Sequence, residues 1–429
     1  MEVTPPFSDF LENKPLYYKE IDHERVHRAY SRLRDHIAHP PAVHIVGTNG
    51  KGSTGRILAF LAWQGKQEME NGEWRMENGL SQSESTKNPK SKIQNPTWSV
   101  GHYSSPHILR FNERIWIDGE NISDEALEEG HRRLYEILGP EMSQALSYFE
   151  YTTLLALLLF ERCDLIVLEA GLGGEFDATN VVENKVLTVV TPIGLDHQAF
   201  LGDSVEAIAE TKLRSITPHT QVLLAPQPYA EVENVARKIA NERHCELHIT
   251  KKSVSIETQT DTQNPKSKIQ NLKKGWPGFL LQNASVALRA LDLLGISADV
   301  ESLKDLELFG RFYPLRENIR IDVGHNPLAA RAIVEAMEPQ TVLIYNSLDD
   351  KDYREVLSIL RPRLKRVEII PIESQRAATL REIENVLEEL EISWEYFGGQ
   401  LFSHENYLVF GSFYTVEAFL KMSDLTDEV

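Results

Sequence analysis

Short runs of Val, Ile and Leu recur along the chain, separated by segments of helical length that have one apolar and one polar face. The runs lie at residues 43–45, 165–168, 186–190, 222–224, 342–344, 367–370 and 408–410. Apolar strands that alternate with helices are typical of parallel α/β sheets, which are covered on both faces. The pattern therefore predicts an α/β fold with ligands at the carboxyl ends of its strands, where Glu169 and Asp322 fall.

The chain has 429 residues and exceeds the length of one average domain, which is roughly 100 to 250 residues. The alternation of strands and helices starts again near residue 310. We therefore expect a larger domain over residues 1–300 and a smaller α/β domain over residues 301–429.

An octapeptide, Asn-Pro-Lys-Ser-Lys-Ile-Gln-Asn, occurs twice, at residues 88–95 and 264–271, each time within a polar stretch. The two copies are too far apart to be a solenoid repeat. Loops accept added length at a small entropic cost, so residues 67–96 and 255–274 are predicted to be flexible surface insertions. A partner-binding tag is the alternative interpretation.

The net charge of −19 argues against a surface that binds nucleic acid or anionic membranes, because such surfaces need an excess of Lys and Arg. The longest apolar stretch, 154–160, is well short of the roughly 20 residues that span a bilayer, and no secretory signal is recognisable. Two cysteines, Cys163 and Cys245, suit a reducing compartment. We therefore expect a cytoplasmic monomer, since no coiled coil or exposed apolar stripe is evident.

A glycine-rich segment, Gly-Thr-Asn-Gly-Lys-Gly-Ser-Thr at residues 47–54, lies between a predicted strand and a predicted helix. We call it the phosphate loop, because backbone N–H groups in such a turn converge on phosphate oxygens and the helix N-terminus favours negative charge. Lys51 adds a positive charge, and the Ser53 hydroxyl can reach Mg²⁺. The segment predicts a bound nucleoside triphosphate, with contacts from Gly47, Thr48, Asn49, Gly50, Lys51, Gly52, Ser53 and Thr54.

The phosphate loop departs from the usual spacing at two places. Ile45 stands where a first glycine is usual, and Gly52 separates Lys51 from Ser53. An ordinary glycine-rich turn is the alternative interpretation. The agreement of strand, glycines, lysine and hydroxyl favours phosphate binding.

Several further motifs follow the phosphate loop along the chain. They are Tyr-Ser-Ser-Pro-His-Ile-Leu-Arg-Phe-Asn-Glu-Arg-Ile at 103–115, Leu-Glu-Ala-Gly-Leu-Gly-Gly at 168–174, Asp-Ala-Thr-Asn at 177–180, Gly-Leu-Asp-His at 194–197, Leu-Gly at 201–202, Gln-Asn-Ala at 282–284, Gly-Arg at 310–311, Asp-Val-Gly-His-Asn-Pro at 322–327, Asp-Lys-Asp at 350–352 and Phe-Gly-Ser-Phe-Tyr-Thr-Val at 410–416. In this order they resemble the folylpolyglutamate synthase/dihydrofolate synthase family of the Mur ligase superfamily. The resemblance covers nearly everything except the two insertions.

The resemblance implies a P-loop-type Mur ligase central domain with a mostly parallel sheet, followed by a smaller Rossmann-like C-terminal domain. It also implies ATP-dependent joining of L-glutamate to dihydropteroate or a reduced folate through an acyl phosphate. That chemistry needs cations around the transferred phosphoryl group, because a carboxylate is a poor electrophile until it is phosphorylated.

The resemblance also implies two metal sites, for Mg²⁺ or Mn²⁺. Ser53, Ser105 and Glu169 would form the first site, and His197 belongs to the second. Lys212 matches a lysine that is carbamylated in the family, which turns a cation into an anion able to orient the metal. The residues implied in catalysis are Lys51, His197, Lys212 and Arg311.

The family pattern extends to the rest of the nucleotide. It places Asn283 at the adenine and Arg311 at the phosphates, reached across the domain interface. Asp322 and His325 are expected near the ribose and phosphates. An arginine from the second domain would complete the stabilisation of charge only when the site is closed.

The other substrates are small molecules. The pterin of the acceptor is expected beside Phe149, Glu150 and Tyr151, with Arg114 shaping the adjacent loop. The residues expected to help hold L-glutamate are Lys351 and Asp352.

Several of these assignments have structural alternatives. Ser105 precedes a proline and could be a turn residue, and His197 could be a hydrogen-bonded structural histidine. Phe149 and Tyr151 precede a segment that is apolar nearly all round, so core packing is the alternative to pterin contact. His325 and Asn326 precede Pro327, and such a segment commonly serves as the N-cap of a helix.

The chain also departs from the family pattern. Glu175 stands where the family carries Arg or Lys, and Thr-Lys-Leu-Arg at 211–214 replaces Glu-Lys-Ala-Gly around Lys212. Two other functions therefore stay open. One is a Mur-type amino-acid ligase that acts on a non-folate carboxylate, and the other is a nucleotide-binding paralogue without ligase activity.

Overall fold

The computed structural model describes residues 4–14, 22, 24–65, 98–250, 269–271, 273, 275–423 and 425–426. The predicted insertion at 67–96 lies outside the described residues, as does most of the one at 255–274. Ile269, near the end of the second insertion, is described and is fully buried. The prediction of a surface insertion is wrong there, because this apolar side chain packs into the core of the larger sheet.

The described strands of the first sheet are β1 (Ala42–Val46), β2 (Val100–Tyr103), β3 (Ile115–Ile117), β4 (Glu120–Asn121), β5 (Leu165–Glu169), β6 (Lys185–Val190), β7 (Gln221–Leu224) and β8 (Glu246–Ile249). Their order across the sheet is β4-β3-β2-β5-β1-β6-β7-β8. In the order across the sheet, all neighbouring strands from β2 through β5, β1, β6 and β7 to β8 pair in parallel. Strands β3 and β4 form an antiparallel edge next to β2. Every residue of β1 is buried, as expected for a central strand covered on both faces.

The second sheet contains β9 (Tyr313–Arg316), β10 (Ile319–Ile321), β11 (Thr341–Tyr345), β12 (Leu364–Ile369), β13 (Trp394–Tyr396) and β14 (Tyr407–Phe410). Their order is β13-β12-β11-β14-β10-β9, and only β9 pairs in the antiparallel direction. The predicted α/β fold with two mostly parallel sheets is therefore confirmed. We propose that the domain boundary lies between residues 300 and 301, in the part of the chain between the last strand of the first sheet and the first strand of the second.

The described α-helices are α1 (Phe7–Glu12), α2 (Arg25–Leu33), α3 (Lys51–Gln64), α4 (Asp124–Leu138), α5 (Pro140–Ala145), α6 (Tyr148–Leu159), α7 (Gln198–Leu201), α8 (Val205–Leu213), α9 (Ala230–Glu242), α10 (Gly278–Leu293), α11 (Pro327–Val334), α12 (Tyr353–Leu360), α13 (Leu380–Glu389) and α14 (Phe413–Met422). Further 3₁₀ helices are Arg34–His36, Phe111–Arg114, Ala178–Val181 and Arg361–Arg363. Helices α3 and α10 share one core with β1, while α2, α4 and α6 pack into another. Among the described helices, none is both long and apolar enough to cross a membrane.

Candidate active site

The phosphate loop joins the central strand β1 directly to α3. Gly47 and Gly50 have φ angles of 147° and 86°, in the left-handed region that favours glycine. A Cβ at position 47 would lie 2.0 Å from Thr191 Oγ1, so a side chain has no room there. The segment after β6 anchors the start of the loop, because the N–H groups of Thr48 and Asn49 donate to Pro192 O at 2.9 and 3.1 Å. This cradle at the N-terminus of α3 fits a phosphate group.

Glu169 ends β5, which lies next to β1, and its carboxylate faces the phosphate loop. Its Oε1 lies 3.8 Å from Lys51 Nζ, and its Oε2 accepts a hydrogen bond from Ser105 N at 3.3 Å. Burial raises the pKa of Glu169, and the charges of Lys51 and Arg311 oppose that rise. Glu169 is a buried carboxylate that is bonded to the Ser105 backbone and lies close to the loop at Gly52. Carboxylate and hydroxyl oxygens are the donors that Mg²⁺ prefers, so Glu169, Ser105 and Ser53 fit the implied cation.

Gly52, the residue that breaks the usual loop pattern, has a geometric reason to be glycine. A Cβ at this position would lie 3.1 Å from Arg311 Nη2 and 3.3 Å from Glu169 Oε2. Arg311 precedes β9 of the second sheet, and its guanidinium lies 5.3 Å from the ring centre of Phe413. The glycine therefore leaves room for the Arg311 guanidinium and the Glu169 carboxylate to lie close to the loop.

Asn283 is buried in α10 and reaches the phosphate loop from the side. Its Nδ2 donates to Ser53 Oγ at 2.8 Å, and its Oδ1 would lie 3.1 Å from a Cβ at position 50. Ser53 Oγ in turn lies 3.3 Å from Gly50 O. The residue expected at the adenine thus contacts the loop hydroxyl in this structure.

Asp322 lies directly after β10 and organises the turn before α11. Its two oxygens accept hydrogen bonds from Gly324 N at 2.7 Å and Phe312 N at 2.8 Å. Burial raises the pKa of Asp322 to about 6. Asn326 is the N-cap of α11, as the structural alternative held, but its amide also pairs with that of Asn49 at 2.9 and 2.8 Å.

His197 lies beside side chains of the second sheet's domain. Its Nε2 is 3.4 Å from Lys351 Nζ, and its backbone has a φ of 52°. Burial lowers the pKa of His197 to about 4, so the imidazole is neutral and can act as a metal ligand near pH 7. Lys351 is buried and donates to Asp196, while the exposed Asp352 is the N-cap of α12.

Lys212 lies in the last turn of α8 and is buried. Burial, followed by the nearby charge of Lys51, lowers the pKa of Lys212 to about 7. The loop after β5 packs directly on it, because a Cβ at Gly174 would lie 2.4 Å from Lys212 O. The amine is therefore partly neutral near pH 7, which is the form that reacts with CO₂.

The residues expected around the pterin divide into two groups. Phe149 packs on Gly171, where a Cβ would lie 2.5 Å from its ring, and Arg114 donates to His107 Nδ1 at 2.8 Å. Tyr151 is fully buried, and its hydroxyl lies 2.8 Å from His131 Nδ1. The predicted contact between Tyr151 and the pterin is wrong, because the Tyr151 ring is buried in the core.

Glu150 also has a structural role. It pairs with Arg25 at 2.9 Å and completes a capping box with Ser147 at the start of α6. The expected pterin contact of Glu150 has no support in these contacts, since both of its oxygens are engaged.

Two residues near the site escaped the prediction from sequence. Asp196 binds Lys351, and Glu113 accepts hydrogen bonds from three backbone N–H groups of the loop after β2. Both stand inside motifs that the sequence singled out, at 194–197 and 103–115. Their position within a motif was the available signal. Among the described residues, no group of three or more His, Cys, Asp or Glu side chains forms a metal cluster.

Comparisons with known proteins place this geometry in context. The crystal structure of Helicobacter pylori folylpolyglutamate synthetase is 36% identical, with a TM-score of 0.72, and the match covers 97% of each chain. The dihydrofolate synthase/folylpolyglutamate synthase of Haemophilus influenzae is 29% identical over 399 residues, which are 84% of this chain and 82% of that protein.

A third similar protein is known with ligands. The bifunctional folylpolyglutamate synthase/dihydrofolate synthase of Yersinia pestis, in complex with AMPPNP and Mn ion, is 26% identical, with a TM-score of 0.75, over 97% of this chain and 98% of that one. No family model matched the chain. On the identity and coverage of the Helicobacter pylori match, the chain belongs to the folylpolyglutamate synthase/dihydrofolate synthase family.

Proposed function

We propose that this chain is an ATP-dependent ligase that joins L-glutamate to dihydropteroate, to reduced folates, or to both. The observation that carries the proposal is the convergence of Lys51, Glu169 and Arg311 on the phosphate loop around Gly52. Two of these groups come from the first sheet's domain and one from the second. A nucleotide-binding site alone would not need that arrangement.

The phosphate loop and its cations would activate the acceptor. The backbone N–H groups at the N-terminus of α3 and the Lys51 ammonium would bind the β and γ phosphates, and Arg311 would stabilise the charge on the transferred group. Ser53, Ser105 and Glu169 would hold Mg²⁺, whose charge offsets that of the phosphates. The acceptor carboxylate takes the γ-phosphoryl group, ADP leaves, and the amine of glutamate then displaces phosphate to form the amide.

A second cation site is part of the same proposal. His197 is neutral at its lowered pKa, and Lys212 would become an anion if CO₂ adds to its amine. A carbamate anion at Lys212 would attract the nearby Lys51 ammonium and offset its positive charge. Residues 211–214 differ from the family pattern but keep Lys212, which supports the presence of the second cation site.

The acceptor and glutamate sites rest on fewer contacts. The Arg114 guanidinium lies 5.2 Å from the ring centre of Tyr148, at the start of α6, and the ring of Phe149 packs on Gly171 in the loop after β5. This aromatic and cationic surface suits a flat heterocycle. Lys351 and Asp352 stay proposed for L-glutamate, and the monomeric, cytoplasmic state expected from the sequence belongs to the same proposal.

The test is release of phosphate from ATP and Mg²⁺ with L-glutamate, comparing dihydropteroate, tetrahydrofolate and no acceptor. Stimulation by an acceptor, with a product that gains one glutamate by mass spectrometry, would establish the ligase. Lys51→Ala should lower the rate by roughly 100-fold or more, since it removes a phosphate contact. Lys238→Ala, an exposed lysine on α9, is the matched control. No stimulation by either acceptor would contradict the proposal.

A further inference from the structure

Asp196 lies in the turn after β6, and both of its carboxylate oxygens are engaged by the domain of the second sheet. Its Oδ1 accepts a hydrogen bond from Lys351 Nζ at 2.8 Å. Its Oδ2 accepts one from Asn326 Nδ2 at 3.0 Å and lies 3.7 Å from His325 Nε2. One carboxylate of the first domain therefore holds three side chains of the second.

This contact is shielded from water. The side chains of Asp196 and Lys351 are only 9% and 3% exposed. The other carboxylate near the ammonium, that of Asp350, is 3.6 Å away and is also paired with Arg376. Removing the charge of Asp196 would leave the Lys351 ammonium buried without its nearest anion, which is costly at low exposure.

Asp196 also organises its own side of the interface. Its Oδ1 accepts a hydrogen bond from His197 N at 2.9 Å, which helps to hold the left-handed backbone at His197. Asn326, bound by the other oxygen, pairs with Asn49 of the phosphate loop. The carboxylate thus connects Lys351, the turn before α11 and the backbone of His197 in one network.

We propose that Asp196 is a positioning residue that docks the second domain on the first and sets the Lys351 ammonium beside His197. It acts through Lys351 and the turn before α11, without touching a reacting atom. The inference rests on the proposed function for its kinetic consequence, because Lys351 is proposed at the glutamate site. Glutamate would then meet a correctly placed cation only in the docked state.

Asp196→Asn keeps the shape of the side chain and an acceptor for His197 N, but removes the charge that holds Lys351. We expect the KM for L-glutamate to rise roughly tenfold or more, the size of effect produced by losing a charged hydrogen bond. The dissociation constant of ATP, measured directly, should change less than the KM for glutamate, because Lys51, Asn283 and the backbone of the phosphate loop all belong to the first domain. Asp203→Asn, an exposed position in the next loop, is the matched control.

A double-mutant cycle with Lys351→Met separates positioning from a general structural role. If Asp196 acts chiefly through Lys351, the effect of Asp196→Asn on kcat/KM for glutamate should be much smaller once Lys351 is replaced. If the two effects multiply, the inference is overturned.

Hydrogen–deuterium exchange tests the docking without reference to turnover. Asp196→Asn should speed exchange at residues 346–352 and 324–328, whereas Asp203→Asn should leave both segments unchanged. Unchanged exchange in Asp196→Asn would overturn the docking role, even if the wild-type protein proved to have no ligase activity. Failure of the ligase assay and failure of this inference can therefore be told apart.

Discussion

Asn283 Nδ2 donates to Ser53 Oγ at 2.8 Å, although 230 residues separate the two in the chain. The bond joins α10 to the first turn of α3, and both side chains are buried. Because the Ser53 hydroxyl accepts this bond with one lone pair, its other lone pair is oriented within the loop. The loop hydroxyl proposed to hold Mg²⁺ is therefore positioned by a distant helix.

Asn283→Ala should weaken nucleotide binding. It removes the donor to Ser53 and leaves a small gap beside Gly50, so we expect the KM for ATP to rise roughly tenfold, about 1 to 2 kcal/mol. Steady-state kinetics at varied ATP and fixed Mg²⁺ would measure this. Arg289→Ala, an exposed residue of the same helix, should leave the KM for ATP unchanged. Equal effects of the two substitutions would rule out a specific role for Asn283.

Gly174→Ala should abolish most activity. Its Cβ would lie 2.4 Å from the backbone oxygen of Lys212, which cannot rotate away as a side-chain end could. The loop after β5 and α8 must then separate, and we expect kcat to fall by roughly 100-fold, since displacement of a catalytic group by about 1 Å has that effect. Gly278→Ala, where a Cβ meets nothing within 4 Å, is the matched control. A variant at 174 with normal kcat would show that Lys212 is not needed in its present place.

Glu113→Gln should loosen residues 108–110, which precede Arg114, the residue expected to shape the acceptor site. The Glu113 carboxylate accepts hydrogen bonds from the N–H groups of Ile108, Leu109 and Arg110 at 2.8, 2.7 and 2.7 Å. A Gln amide has one acceptor oxygen where the carboxylate has two, so at least one bond is lost. We expect the KM for the acceptor to rise roughly five- to tenfold with little change in ATP binding. Glu120→Gln, exposed in β4, is the control, and a larger effect on ATP than on the acceptor would contradict the prediction.

Lys212 should bind CO₂ as a carbamate. At a pKa of about 7 much of the amine is neutral at pH 7.5, so its nitrogen can attack CO₂ and lose a proton. With ¹³C-bicarbonate, the wild-type protein should give a carbamate resonance that Lys212→Met lacks. Lys185→Met is the matched control, because burial lowers the pKa of Lys185 to about 8 but its ammonium is bound by Asn180 and Ser215. If the resonance disappeared in Lys185→Met, the carbamate would be on Lys185, and the prediction for Lys212 would be wrong.

Asp322 should make stability depend on pH. Burial raises its pKa from 3.8 to about 6, so the folded protein keeps a proton that the unfolded chain releases between these values. The contribution of Asp322 to stability therefore falls as pH rises through this window, by at most about 3 kcal/mol. Asp322→Asn removes the ionisation, so its melting temperature relative to wild type should rise between about pH 4 and about pH 7. A difference that stays constant over this range would argue against a raised pKa.

The sequence alone predicted the framework of the active site. The apolar runs at 43–45 and 165–168 became β1 and β5, and the glycine-rich turn between β1 and α3 lies where the pattern expected it. These features are local, because a strand that is buried on both faces must be apolar throughout and a turn with positive φ favours glycine. The carboxyl end of β5 likewise brings Glu169 to the loop through simple strand pairing.

Other relationships required the tertiary structure. Asp196 could be found within its motif, but nothing in the sequence says that its carboxylate binds Lys351. Tyr151 has the residue type of a substrate contact and yet lies in the core, while Ile269 is buried inside a segment of polar composition.

There is a physical reason why some features could be predicted from the sequence and others could not. Periodicity and backbone conformation are properties of neighbours in the chain, so the sequence by itself determined the strands, the phosphate loop and the family motifs. The partner of a buried polar or charged group is chosen by how helices and sheets pack across long separations, and burial then sets the cost of leaving that group alone. Only the tertiary structure therefore decided that Asn283 meets Ser53 and that Asp196 joins the two domains.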